Sequence, residues 1–89
     1  MENFDISQTK TDSIEMSVSS VFVGDSGEKY AFVTFSDGVR SAEGRIPECK
    51  IISNKGFAAI EVESLERYMN ENLKQLKKMA ANINILKAL

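Results

Sequence analysis

The sequence predicts an α+β domain: an antiparallel β-meander of about four strands followed by one long C-terminal amphipathic helix. Three observations carry this. Apolar residues alternate at period two through much of the stretch from Ile14 to Ile46. Turn-forming clusters interrupt it at Gly24-Asp25-Ser26-Gly27, Asp37-Gly38 and Asn54-Lys55-Gly56. From Leu65 onward the apolar spacing becomes that of a helix, with no glycine or proline to Leu89.

Residues 1–11 are polar and aperiodic and predict a flexible N-terminal arm, with Phe4 and Ile6 available to dock on the body. Residues 12–89 then form a single domain, its sheet over 12–53 and its helix over about 59–88. Ile14, Met16 and Val18 alternate with polar residues and lead into Val21-Phe22-Val23. Together they read as one long strand with a bulge near Ser19–Ser20. Lys29 to Phe35 is the strongest strand signal, rich in aromatic and β-branched residues.

Asp37-Gly38 follows at once and predicts a two-residue hairpin turn, since both positions tolerate positive φ. Folding about it sets Val33 opposite Ala42, Phe32 opposite Glu43 and Tyr30 opposite Arg45. One face then carries Ala31, Val33, Phe35 and Ala42. The other carries Tyr30, Phe32 and Thr34 with Ser41, Glu43 and Arg45. Pro47 ends the third strand, and Cys49 to Ser53 forms a short fourth.

Phe57 to Val62 reads either as a fifth strand, with Ser64 as helix cap, or as the start of the helix near Ala59. The early start is preferred, because Phe57 and Val62 then occupy the two positions of a hydrophobic staple and acidic residues fill the first turns. In a heptad frame one seam position carries Val62, Met69, Leu76 and Ile83. The other carries Leu65, Asn72, Met79 and Leu86. A straight helix from Ala59 to Leu89 would run roughly 45 Å at about 1.5 Å per residue. That exceeds the width of a short four-stranded sheet with strands about 4.8 Å apart, so part of the stripe is expected to overhang and need a partner.

The chain has 89 residues, 43% of them hydrophobic and 27% charged, a composition ordinary for one globular domain. A net charge of −2 argues against a general polyanion binder. The charge is uneven: residues 1–71 hold seven Lys/Arg against thirteen Asp/Glu, whereas 72–89 hold Lys74, Lys77, Lys78 and Lys87 and no acid. Basic residues late in a helix complement its dipole.

The absence of histidine removes the commonest general base and the Ser/His and Cys/His nucleophile pairs. The single cysteine, Cys49, can form no internal disulfide and builds no zinc site, and it is expected as a small core residue. No glycine-rich phosphate loop, signal-peptide pattern or membrane-spanning run is present in the sequence. A non-enzymatic cytoplasmic protein without a cofactor is the expectation.

Two surfaces remain as candidates. The first is the helical seam of Leu65, Met69, Asn72, Leu76, Met79, Ile83 and Leu86, expected to bind a protein partner, either a second copy in a homodimer or a larger protein. Asn72 there would set register. The second combines Tyr30, Phe32 and Arg45 with Lys74, Lys77 and Lys78, a set suited to single-stranded nucleic acid or an acidic partner. The leading expectation is an interaction module that self-associates through the helix. The alternatives are a phage- or mobile-element-encoded inhibitor of a larger protein and a single-stranded nucleic-acid binder.

The hairpin strands, the segment GRIPECKIISNKGF and the helix LERYMNENLKQLKKMA resemble, in layout, small bacterial proteins of a toxin–antitoxin-associated domain family of unknown function. The resemblance spans about Tyr30 to Ala80 and implies a β-meander followed by one helix. That family carries a His-Phe-His segment before its second strand. This chain has no histidine, so no functional residue transfers.

Overall fold

The structure, a computed structural model, describes residues 14–88, with side chains described as far as Ile83. The expected N-terminal arm over 1–11, with Phe4 and Ile6, lies outside these residues, as does the side chain of Leu86.

Five strands form one antiparallel sheet: β1 (Glu15–Val18), β2 (Phe22–Val23), β3 (Lys29–Ser36), β4 (Ser41–Ile46) and β5 (Lys50–Lys55). The order is β1-β3-β4-β5, with β2 also paired to β3. Two helices follow, α1 (Ala59–Glu71) and α2 (Leu73–Ala88).

β1 and β2 lie in succession along one edge of β3, pairing Val18 with Val33 and Phe22 with Tyr30. Three residues intervene on the first strand against two on β3. The extra residue is the bulge expected at Ser19–Ser20, and it divides the long strand into two. Ser19 holds the junction. Its amide donates to the Phe32 carbonyl at 2.9 Å, and its Oγ accepts the Phe32 amide at 2.9 Å.

The β3–β4 hairpin differs from expectation. Ser36 pairs with Ser41, Phe35 with Ala42, Val33 with Gly44 and Phe32 with Arg45, so the connection is a four-residue loop, Asp37 to Arg40. Asp37 is the reason. Its Oδ1 accepts the amides of Val39 (3.0 Å) and Arg40 (2.7 Å), and its own amide donates to the Arg40 carbonyl. An aspartate that gathers amides two and three residues on closes a wider turn than the two-residue form. The slip is of two residues, so each side chain stays on its expected face. Ala31, Val33, Phe35 and Ala42 are all buried beneath the helices.

β5 begins at Lys50, one residue later than expected, and runs on through Asn54 and Lys55, which the sequence alone places in a turn. A bulge lies opposite Glu43/Gly44. The Ile51 amide donates to Glu66 Oε2 at 2.9 Å, so α1 covers part of this sheet edge. Asn54 bridges the turn that follows, with its amide nitrogen donating to the Phe57 carbonyl and its Oδ1 accepting the Phe57 amide.

The helix starts at Ala59, as the staple reading prefers, and Phe57 to Val62 is not a strand. Ala58 supplies no side-chain acceptor. Glu61 reaches back instead to accept the Ala58 amide at 2.8 Å. The single long helix is not found. Asn72, with φ −115° and ψ 20°, interrupts it and yields two helices. Its side-chain nitrogen donates to the Tyr68 carbonyl at 2.9 Å, and its backbone amide donates to the same oxygen at 3.0 Å. A side chain that bonds its own helix four residues back competes with the regular ladder.

α1 packs beside β5 and α2 packs toward β1, so the interrupted helix covers the sheet face that holds Val18, Val33, Phe35 and Ile46. Met69 and Leu76 are essentially inaccessible at its centre. The domain is thus a two-layer α+β sandwich with one covered and one open sheet face.

Candidate functional site

The helical seam is used within the chain. Leu65, Met69 and Leu76, expected to meet a partner, are buried against the sheet, and Met79 is half-buried against the same core. Asn72 is half-buried at the helix break and bonded to Tyr68, not aligned in a seam. Ile83 is half-buried. Leu86, whose side chain is not described, is the only expected seam residue left unplaced. Leu65, Met69 and Leu76 of the expected stripe thus face the sheet, while the stripe beyond Ile83 lies outside the described side chains.

The second candidate set divides. Tyr30, Phe32 and Arg45 come together on the open face. Lys74, Lys77 and Lys78 are exposed on α2, the layer that covers the opposite face. Only Tyr30 and Lys77 come to one groove, at the edge of the sheet, and Phe32, Arg45, Lys74 and Lys78 are not part of its lining.

On the open face the four-residue hairpin loop puts Arg45 opposite Phe32 and diagonal to Tyr30, not opposite Tyr30. The guanidinium nonetheless lies over the Tyr30 ring, 4.0 Å from its centroid. Arg45 Nε is 3.1 Å from Glu48 Oε2, an ion pair with no hydrogen-bond alignment. Phe22 joins this group through the pairing of β2 with β3. Its ring stacks on Tyr30 at 5.6 Å and tilts against Phe32 at 5.7 Å, and Tyr30 and Phe32 meet edge-on at 5.7 Å. Three rings in mutual contact contribute about 0.5–1.5 kcal/mol per pair beyond area burial. They also form a preformed apolar platform. Phe22 remains 43% exposed on it, while Tyr30, Phe32 and Arg45 are half-buried.

Sequence reasoning misses Phe22 as a site residue because the side it faces depends on the bulge before it. The available signal is Val21-Phe22-Val23 itself: after a one-residue bulge, the aromatic ring faces the same way as Tyr30.

A second polar cluster ties the hairpin loop to α1. Arg40 Nε donates to Asp37 Oδ2 at 2.9 Å, and Nη1 donates to both oxygens of Glu61 at 2.9–3.0 Å. The guanidinium also sits 4.6 Å from the Phe57 centroid. Gly56, at φ +105°, lets the chain turn directly beneath Arg40, where a Cβ would stand 2.8 Å from Arg40 Cγ. The amides of Arg40 and Val39, then the Arg40 side chain, hold the Asp37 carboxyl at about 2. All its strong partners come from its own loop, and Arg40 carries the link on to α1, which makes the cluster a structural clasp.

Cys49 is wholly buried in the turn before β5, with positive φ, and burial pushes its thiol up, away from a reactive thiolate. Among the described residues no three His, Cys, Asp or Glu side chains gather to hold a metal ion. No described helix is long and apolar enough to cross a membrane. No family model, curated protein or solved structure matches the chain.

Proposed function

We propose that this protein is a non-enzymatic interaction module that binds a protein partner through the open face of its sheet, centred on Phe22, Tyr30 and Phe32. The observation that supports it is the aromatic platform itself. A preformed cluster of large rings flanked by one arginine is the composition of an interface centre, where aromatic residues and arginine carry most binding energy. A second copy of the chain is the first partner to test, because Leu65, Met69 and Leu76 of the helical stripe that suggested self-association are already buried, whereas Phe22 on this face is 43% exposed.

Light scattering over the micromolar range checks it. Wild type is expected to exceed the 9.9 kDa monomer reversibly as concentration rises, and Phe22→Ser is expected to remain monomeric with an unchanged circular dichroism spectrum. If wild type stays monomeric, tagged wild type and tagged Phe22→Ser are compared for stoichiometric capture of proteins from the source cells. Identical capture profiles reject the reading. Salt-sensitive binding of single-stranded oligonucleotides by the open face would replace it with nucleic-acid recognition.

A further inference from the structure

A groove of about 480 Å³ runs between the start of β3 and α2. This is within the range of about 300–1,000 Å³ found for small-ligand sites. Val21 and Val23 line it from the strand side, Ala80 and Ala81 from α2, and Ala31 and Ile46 lie between. Small side chains on α2 leave the space open. Ala31, Ile46 and Ala80 are each no more than 2% exposed in the chain, so the base of the groove is core.

The charged residues that line it are Lys29 and Lys77, one from each side, with no acid among the described residues of the lining. Among the described residues the ion pairs are those of Arg40 and Arg45, and neither lysine forms one. Two ammonium groups beside an apolar trough select a ligand that is greasy along its length and negative at one end. The groove is too small to be a folded partner's interface, which covers about 800 Å² on each side. A cationic or neutral chain would leave the lysines uncompensated.

We propose that this groove binds an anionic amphiphile, its apolar chain lying between β2 and α2 and its acidic head group between Lys29 and Lys77. The groove shares Tyr30 with the open-face platform at one edge, but its two lysines and its core base are not platform residues, and the proposal does not rest on the platform's function.

The probe is dodecanoate, titrated below its micelle concentration into the full-length protein and followed by calorimetry and amide chemical shifts. Saturable binding is expected, with shifts concentrated at Val23, Ala31, Ile46 and Ala81. Dodecan-1-ol, which lacks the charge, is expected to bind roughly tenfold or more weakly, and Lys29→Glu/Lys77→Glu to weaken dodecanoate by a similar factor. Lys74→Glu, on an exposed position outside the groove, controls for net charge. Ala81→Leu, at an exposed position, fills the groove without touching the core and should abolish binding. Phe22→Ser should leave it unchanged, which separates this site from the platform. No saturable binding by wild type would overturn the proposal. So would equal affinity for dodecan-1-ol, undiminished binding by a folded Ala81→Leu, or shifts confined to the open face.

Discussion

Asp37 shows how one side chain can set a connection and also record it in a titration. Its carboxylate is held at about 2 by two loop amides and by Arg40, below its ordinary 3.8. The folded state therefore prefers the ionised form more strongly than the unfolded chain does. That stabilisation is fully present above about pH 4 and is lost as pH falls through the interval down to about 2. Asp37→Asn lacks this component. The gap in melting temperature between wild type and Asp37→Asn is expected to be widest near pH 5 and to shrink toward pH 2. A gap independent of pH would mean that the loop amides do not hold the carboxylate as described. The same residue explains a limit of sequence reasoning. Asp-Gly is the strongest short hairpin signal, but the aspartate collects the amides of Val39 and Arg40 and widens the loop. Only the identity of Arg40, able to close back on the carboxylate and reach Glu61, points to that.

At the scale of elements, what is legible follows from periodicity and what is not follows from side chains that override it. The alternation through Ala31, Val33 and Phe35 predicts the covered face, and a two-residue register slip cannot disturb it. The start of α1 at Ala59 is legible from Phe57 and the acidic first turns. The end of α1 is not, because Asn72 occupies a seam position and a heptad count treats it as a register residue. The aromatic site is half legible: alternation joins Tyr30, Phe32 and Arg45, but Phe22 needs the bulge. The separation of Lys74, Lys77 and Lys78 from that face depends on which side the helices cover, and period-two alternation does not say.

The contact between β4 and α1 offers a test of the packing. Gly44 lies where a Cβ would stand 2.6 Å from Met69 Sδ and 3.3 Å from Ile51 Cδ1. Met69 is fully enclosed and cannot simply swing aside. Gly44→Ala should destabilise by about 1–3 kcal/mol in urea denaturation. Met69→Ala alone should cost about 2–5 kcal/mol. The double variant should lose less than the two together, since the new methyl enters the space left by Met69. Strict additivity would show that the two positions do not meet.

For the whole molecule, the helix layer buries Leu65, Met69 and Leu76 against one face of the sheet. Two layers then account for one face of the sheet, and surface is left open on the other face and in the lysine-flanked groove. Both proposed binding surfaces lie near the end of the sheet where β2 meets β3, one on each side, with Tyr30 in the platform and also in the lining of the groove. Val33, Phe35, Met69 and Leu76, by contrast, are enclosed in the core, and substitutions there act on folding first.

The interruption at Asn72 also offers a test of assembly at a single position. Asn72→Leu would leave the seam that runs through Leu65, Met79 and Leu86 without a polar member, a pattern that suits a continuous rod pairing with its twin. The asparagine is expected to disfavour that pairing. The substitution is expected to raise helical content and to populate a dimer that Phe22→Ser does not dissolve, read by circular dichroism together with light scattering. A variant that stays monomeric, with unchanged amide exchange from position 72 to Leu76, would assign the break to the packing of the sheet and not to the asparagine.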